Sequence, residues 1–184
     1  IAAAETAGIR RFVHMSANGV RPHAKAIYHQ TKWAAEELLR ASELDWTILR
    51  PSIIFGAEGD FIIMLADLIR KMPIIPVIGN GQYRMQPVAI EEVAASFVKA
   101  LTLPATIGQA YQVGGQESYT YEEILDLTGA AIGHGRVRKL HHPVFMMKPV
   151  IKLLEGASAF PITNDQLTMM LEGNVCDPDD WAAA

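Results

Sequence analysis

The chain has 184 residues, of which half are apolar and a fifth are charged, and its formal net charge is −4 at pH 7. These values fit one globular domain, or a domain with a small appendage, and they argue against a nucleic-acid-binding protein, which usually carries a basic stripe. The single cysteine, Cys176, excludes an internal disulfide and favours a reducing, cytoplasmic compartment.

Helical and extended segments alternate along the sequence. The predicted helices cover residues 2–7, 25–41, 61–72, 91–101, 121–131, 144–154 and 163–172. The predicted strands cover residues 10–15, 46–49, 77–81, 110–113 and 137–140. Because such alternation implies parallel strands joined by crossover helices, the predicted fold class is α/β. After Phe61 the alternation becomes less regular, which predicts an added small lobe.

No segment is predicted to cross a membrane. The most apolar helix, residues 61–72, is interrupted by Asp67, Arg70 and Lys71, whereas a spanning helix needs about 20 mostly apolar residues. The sequence begins at Ile1 inside an alanine-rich helical pattern and shows no signal-peptide pattern. We therefore expect the chain to be a fragment of a longer protein.

Two helices have faces that can be assigned from their residue spacing. In the helix at 25–41 the solvent face includes Glu36 and Glu37, and the apolar face includes Trp33, Ala34, Leu38 and Leu39. The helix at 144–154 is apolar apart from its lysines. We expect it to pack within the small lobe, with a membrane-surface or partner-binding helix as the alternative.

Tyr28 and Lys32 form the strongest chemical signal. They are four residues apart in a predicted helix and therefore lie on one face. A tyrosine is a poor base at neutral pH, but a neighbouring ammonium stabilises the phenolate and lowers the pKa of the phenol. Such a pair can exchange a proton with a carbonyl or an alcohol. The alternative is a surface tyrosine beside a solvated lysine.

The order of several motifs resembles a known family. Residues 11–16 read RFVHMS, the Tyr28-x-x-x-Lys32 pair follows, and residues 49–56 read LRPSIIFG. Residues 86–94 (QPVAIEEVA) and 111–115 (YQVGG) fit the same pattern. Together they resemble the extended and atypical short-chain dehydrogenase/reductases of the NAD-dependent epimerase/dehydratase type. The subgroup most similar is the NADPH-binding accessory subunit of respiratory complex I and its bacterial relatives.

The resemblance implies a fold and a division of the chain. The fold would be the C-terminal part of a Rossmann-type doubly wound parallel sheet with a small substrate-side lobe. Residues 1–60 would be the second half of the NAD(P)-binding domain, and residues 87–115 would return to it as a helix and a strand. Residues 61–86 and 116–184 would form the lobe, in which Arg84 either binds an anionic substrate group or lies at the surface.

The resemblance also implies site residues, carried over to matching positions. Tyr28 would donate or accept the proton, Lys32 would bind the nicotinamide ribose, and Ser16 would end the strand beneath the cofactor and take part in catalysis. The residues expected to contact the cofactor, NADP or NAD, are Ser16, Ala17, Tyr28, Lys32, Pro51, Ser52 and Ile53. No metal is expected, because the histidines show no metal-ligand spacing.

Two departures from the family pattern bear on activity. Asn18 stands where extended members have a serine or threonine that orients the substrate carbonyl, and an amide cannot relay a proton as a hydroxyl does. The glycine-rich loop that grips the pyrophosphate is also absent. It would belong to a segment of about 100 residues upstream, judged from about 30 residues for each strand–helix–strand unit.

The sequence leaves two functions open. One is an NAD(P)-dependent oxidoreductase or epimerase-type enzyme with a small-molecule substrate. The other is a non-catalytic NAD(P)H-binding subunit or assembly factor of respiratory complex I, whose partners would be the respiratory subunits. The corresponding locations are cytoplasmic, or peripheral to the inner membrane.

Overall fold

The computed structural model describes residues 1–57, 59–154 and 163–183. Its helices are α1 (Ala2–Thr6), α2 (Ile27–Arg40), α3 (Asp60–Lys71), α4 (Ile90–Thr102), α5 (Tyr121–Ala131), α6 (Val144–Leu154), α7 (Asn164–Glu172) and α8 (Asp179–Ala183). Its strands are β1 (Arg11–Met15), β2 (Asp45–Pro51), β3 (Ile54–Phe55), β4 (Ile75–Ile78), β5 (Arg84–Met85), β6 (Val88–Ala89), β7 (Gln109–Val113), β8 (Tyr119–Thr120) and β9 (Lys139–His142). Glu58, residues 155–162 and Ala184 fall within the predicted domain ranges but lie outside the described residues, as do the side chains of Lys152 and Leu154.

The first compact unit contains a parallel sheet. It comprises residues 1–54, 86–117 and 174–184. Its sheet has the strand order β1-β2-β7, with both pairs parallel, as the alternation of strands and helices predicts. The residues that form the core between β2, β7 and α4 are Leu49, Val88, Val93, Ala100 and Val113. This burial fixes the sheet and thereby the position of the strand ends.

The last segment of the chain packs in this first unit. The backbone N–H of Cys176 donates to Oε1 of Gln86 at 2.9 Å, and the indole N–H of Trp181 donates to Oγ of Ser96 at 2.9 Å. The sequence-based division had assigned residues 174–184 to the small lobe. Side-chain hydrogen bonds to distant residues hold this segment, and a local sequence pattern contains no signal for such bonds.

The second unit comprises residues 55–85 and 118–173. It contains the parallel pair β4–β9 and the antiparallel pair β5–β8. Helix α5 begins with the predicted capping box: Oγ1 of Thr120 accepts from the backbone N–H of Glu123, whose carboxylate accepts from the backbone N–H of Thr120. These bonds satisfy backbone donors that have no partner inside the helix.

Among the described residues, helix α6 packs through the face that carries Ile151. Ile151 is buried with Ile78 and Leu167, and the half-buried Val144 and Met147 contact the same cluster. The expectation of a helix packed in the lobe therefore holds for this face. The opposite face, with Phe145 and Leu153, is exposed.

The predicted faces of α2 are wrong at three positions. Glu36 is fully buried, whereas Ala34 and Leu38 are exposed. A buried carboxylate is tolerated only when it is paired, and two arginines and a serine bind this one. A prediction based on apolarity alone therefore assigns the wrong residues to the buried face of this helix.

Candidate functional site

The carboxyl ends of the three parallel strands lie side by side. Backbone hydrogen bonds join Ser16 N–H to Leu49 C=O at 2.8 Å, Asn18 N–H to Pro51 C=O at 2.8 Å and Ser52 N–H to Val113 C=O at 2.9 Å. These bonds continue the ladder beyond the strands and align the segments that follow them. The structure thereby brings together, at one edge of the sheet, the predicted residues Ser16, Ala17, Pro51, Ser52 and Ile53. This is the edge at which α/β sheets bind ligands.

Tyr28 and Lys32 lie on one face of α2 and reach the same edge. Nζ of Lys32 lies 5.7 Å from the centre of the Tyr28 ring and donates a hydrogen bond to the C=O of Met15, the last residue of β1, at 3.1 Å. Tyr28 is 41% exposed. An ammonium carries three hydrogens, so the bond to Met15 leaves others for a ligand.

Burial governs the protonation of Tyr28. Partial desolvation raises the pKa of its phenol, opposite to the lowering expected from an adjacent ammonium. The phenol is therefore protonated at neutral pH. In this arrangement Tyr28 is suited to donate a proton rather than to act as a base.

Ser16 is held by a buried carboxylate that the sequence analysis did not select. Oγ of Ser16 donates to Oε1 of Glu36 at 2.5 Å, and Arg50 and Arg40 also bind that carboxylate. Burial would raise the pKa of Glu36, but hydrogen bonds from Arg50 and Ser16 and the charge of Arg50 outweigh it and lower the pKa. The feature of the sequence that could have identified Glu36 is its spacing, because it stands four residues after Lys32 and therefore lies on the same helical face.

Asn18 is also engaged inside the protein. It is buried; its Nδ2 donates to Oδ1 of Asn174 at 2.6 Å, and its Oδ1 accepts from the N–H of Gly19 at 2.9 Å. Oγ of Ser52 donates to the same Asn174 Oδ1 at 3.0 Å. Asn18 and Ser52 thus hold the ends of β1 and β2 through their bonds to Asn174. Asn174 is a second residue that sequence reasoning missed, and it lies 156 residues beyond Asn18.

His14 lies on β1, where the charges of Lys32 and Glu36 both affect the pKa of its imidazole. Burial, and then the charge of Lys32, lower the pKa of its imidazole, while Glu36 acts in the opposite direction. Its Nε2 is buried and has no hydrogen-bond partner within the described part of the chain. His14 is therefore neutral at pH 7, which leaves Lys32 as the cation nearest to Tyr28 on this face of α2.

The donors at this edge fit a nicotinamide cofactor. The partly exposed Tyr28 phenol and the remaining hydrogens of Lys32 are the types of donor that bind ribose hydroxyls. By contrast, the described residues 1–57, 59–154 and 163–183 contain no group of three or more His, Cys, Asp or Glu side chains that could hold a metal ion.

The second unit contains a separate, mainly apolar cavity. Its volume is about 720 Å³, within the range of small-molecule sites, and its lining includes Met64, Leu68, Met147 and Met170. Arg84, one candidate for binding an anionic substrate group, instead donates from Nε to Oγ of Ser118 at 3.0 Å. Arg84 is not one of the residues that line this cavity.

The parallel sheet, with its strand order β1-β2-β7, defines a domain of the Rossmann type. Residues 1–68 match the model of the NAD(P)H-binding family. The chain superposes on the Thermus thermophilus UDP-glucose 4-epimerase complex with NAD with a TM-score of 0.70 and 18% identity, covering 99% of this chain and 60% of that chain. The predicted α/β Rossmann-type fold and NAD(P)-binding character are thereby confirmed.

The chain is also similar in sequence to curated proteins. The chain is 30% identical over 136 residues to NADH dehydrogenase (ubiquinone) 1 alpha subcomplex subunit 9 of Dictyostelium discoideum, covering 74% of this chain and 37% of that protein. It is 28% identical over 138 residues to the NAD(P)H azoreductase of Xenophilus azovorans, covering 72% of this chain and 45% of that protein. The chain is therefore a homologue of part of the complex I subunit, and it spans less than half the length of either relative.

Proposed function

We propose that the protein is an NAD(P)H-dependent reductase in which Tyr28 donates the proton. The cofactor would supply the hydride, and the substrate would be a small molecule with a reducible carbonyl or azo group. Tyr28 then protonates the atom that becomes electron-rich, and Lys32 binds the ribose and stabilises the phenolate that forms. The observation that carries the proposal is the exposed Tyr28 phenol beside Lys32 at the ligand-binding edge.

Burial raises the pKa of Tyr28 and so keeps the phenol protonated at neutral pH, which means that a proton is present for transfer to a substrate that is being reduced. In this proposal Ser16 positions the end of β1 beneath the cofactor and does not transfer a proton, because its hydroxyl donates to Glu36. Ala17, Pro51, Ser52 and Ile53 would form the wall around the nicotinamide.

The test uses the purified full-length protein with NADPH and NADH. Methyl red and benzaldehyde are the probe substrates, and cofactor oxidation is followed by absorbance. Tyr28→Phe should lower kcat by about 10²- to 10⁴-fold, the usual contribution of a general acid, while the loss of one neutral hydrogen bond to the ribose should weaken cofactor binding by no more than about tenfold. Tyr111→Phe, the same change at a tyrosine that packs on Trp181, is the matched control. A Tyr28→Phe protein with undiminished kcat would refute the proposed role.

A second function is an NAD(P)H-binding accessory subunit without turnover. The observation in its favour is Asn18, whose amide is hydrogen-bonded to Asn174 and offers no hydroxyl to a substrate. The likeness to the Dictyostelium subunit supports respiratory subunits as partners and a place peripheral to the inner membrane. Within the described residues no helix is long and apolar enough to span a bilayer.

The two functions are distinguished by one purification. An accessory subunit should co-purify with respiratory subunits in stoichiometric amounts, bind NADPH tightly and reduce neither probe substrate. A reductase should elute alone and turn over at least one probe. Co-purification combined with kcat values that Tyr28→Phe leaves unchanged would assign the accessory role.

A further inference from the structure

The outward face of α6 is unusually apolar for a surface helix. Phe145 is 75% and Leu153 is 84% exposed, and Met146 and Val150 are also exposed. At 100° per residue these four side chains and Pro149 cover an arc of about 140°. Single exposed apolar side chains are ordinary, but a contiguous patch of this kind marks an interaction surface.

The inward face and the basic flank of the same helix are separate from this arc. Val144, Met147 and Ile151 pack into the second unit. Lys148 is exposed and lies between the packed face and the apolar arc, and Lys152 follows it one turn later in the sequence. A helix with this order of faces can stay packed against its own protein and still present apolar side chains bordered by cations.

Positive charge is concentrated in the stretch of sequence that leads into and forms this helix, although the chain is acidic. Residues 127–154 contain five lysines and arginines and no aspartate or glutamate, whereas the whole chain has 16 basic and 20 acidic residues. Lys139 is paired with Asp126 at 2.6 Å. Arg136, Arg138 and Lys148 are exposed and form no ion pair with any residue in the described ranges. The charge that would meet this surface most favourably is therefore negative.

We propose that α6 lies in the surface of an anionic lipid membrane. Phe145, Met146, Val150 and Leu153 would enter the boundary between headgroups and acyl chains, and Lys148, Arg136 and Arg138 would contact lipid phosphates. A protein partner would need an apolar groove bordered by acidic side chains, whereas an anionic bilayer provides both properties over any extended area. This proposal goes beyond the proposed function, because α6 contains none of the residues of the cofactor site.

Vesicle flotation with the full-length protein tests the proposal. Vesicles of phosphatidylcholine alone are compared with vesicles that also contain phosphatidylglycerol, at low and high salt. Binding should require phosphatidylglycerol and should weaken with salt. The double change Phe145→Ser and Leu153→Ser should reduce the bound fraction at least about tenfold. Lys148→Glu should weaken binding to anionic vesicles about fivefold or more.

Val98→Ser on α4 is the matched control, because Val98 is also well exposed but lies outside α6. It should leave flotation unchanged. NADPH binding by each variant shows that the variant is folded, and it separates failure of this proposal from failure of the proposed function. Equal binding to both vesicle types, or flotation that the double change does not reduce, would overturn the proposal. A protein that ignores vesicles but loses a self-association when Phe145 and Leu153 are changed would also overturn it.

Discussion

Glu36 and Arg50 are joined by two side-by-side hydrogen bonds, from Nε to Oε1 at 2.9 Å and from Nη2 to Oε2 at 2.5 Å. Both oxygens of this fully buried carboxylate are therefore bound in the paired geometry that an arginine fork favours. The pair ties α2, which carries Tyr28 and Lys32, to the carboxyl end of β2. It thus helps to hold Tyr28 and Lys32 beside this end of the sheet.

Removal of this carboxylate should cost substantial stability. We expect Glu36→Ala to lower the free energy of unfolding by about 3–5 kcal/mol, because it leaves Arg50 partly buried without its partner. Urea unfolding followed by circular dichroism measures this value. Glu37→Ala is the control: Glu37 is exposed, pairs with Arg40 at 3.0 Å and should cost less than about 1 kcal/mol. Equal costs for the two changes would show that the buried pair is not a structural anchor.

The Glu36 carboxylate should make the stability of the folded protein depend on pH in the acidic range. The pKa of Glu36 is lower in the folded protein than its usual value of 4.5. Its contribution is therefore complete above pH 4.5 and is lost as the pH falls through the folded-state pKa. Urea midpoints measured between neutral pH and about pH 3 should fall more steeply for the native protein than for Glu36→Gln. Parallel curves would contradict the lowered pKa.

Lys32 should contribute to cofactor affinity through its charge. Lys32→Met keeps much of the side-chain length but removes the ammonium, and the loss of a charged hydrogen bond should weaken NADPH binding about 10- to 100-fold. Fluorescence titration of the full-length protein gives the Kd. Lys25→Met is the control, because Lys25 is exposed and precedes α2. If both variants bound NADPH equally well, Lys32 would not be a cofactor ligand.

Gly115 should tolerate no side chain. A Cβ at this position would lie 2.1 Å from the backbone oxygen of Pro87, so the strand end and the neighbouring segment would have to separate. We expect Gly115→Ala to cost about 3 kcal/mol and to lower the Tm measurably. Gly135→Ala meets nothing within 4 Å and should leave the Tm nearly unchanged. A Tm for Gly115→Ala that matches the native value would contradict the close approach.

Local patterns in the sequence were sufficient for much of the fold. The bounds of α5 and its Thr120 capping box follow directly from residue types and spacing, and so does the parallel pairing of β1 with β2. Glu36 was missed because polarity was read as exposure, although pairing with Arg50 compensates its burial. Asn174 could not have been selected, because its partners Asn18 and Ser52 lie far away in the sequence and nothing near Asn174 indicates them.

The Asn18–Asn174 bond has a consequence for synthesis on the ribosome. Its two residues are 156 positions apart, so nearly the whole described chain must be translated before the amide of Asn18 meets its native acceptor. Until then β1 and β2 are available for pairing, but the segment that follows β1 lacks the hydrogen bond between Asn18 and Asn174. The segments that follow β1 and β2 should therefore reach their final arrangement late in folding, and a ligand that binds there should find them in place only after Asn174 has emerged from the ribosome.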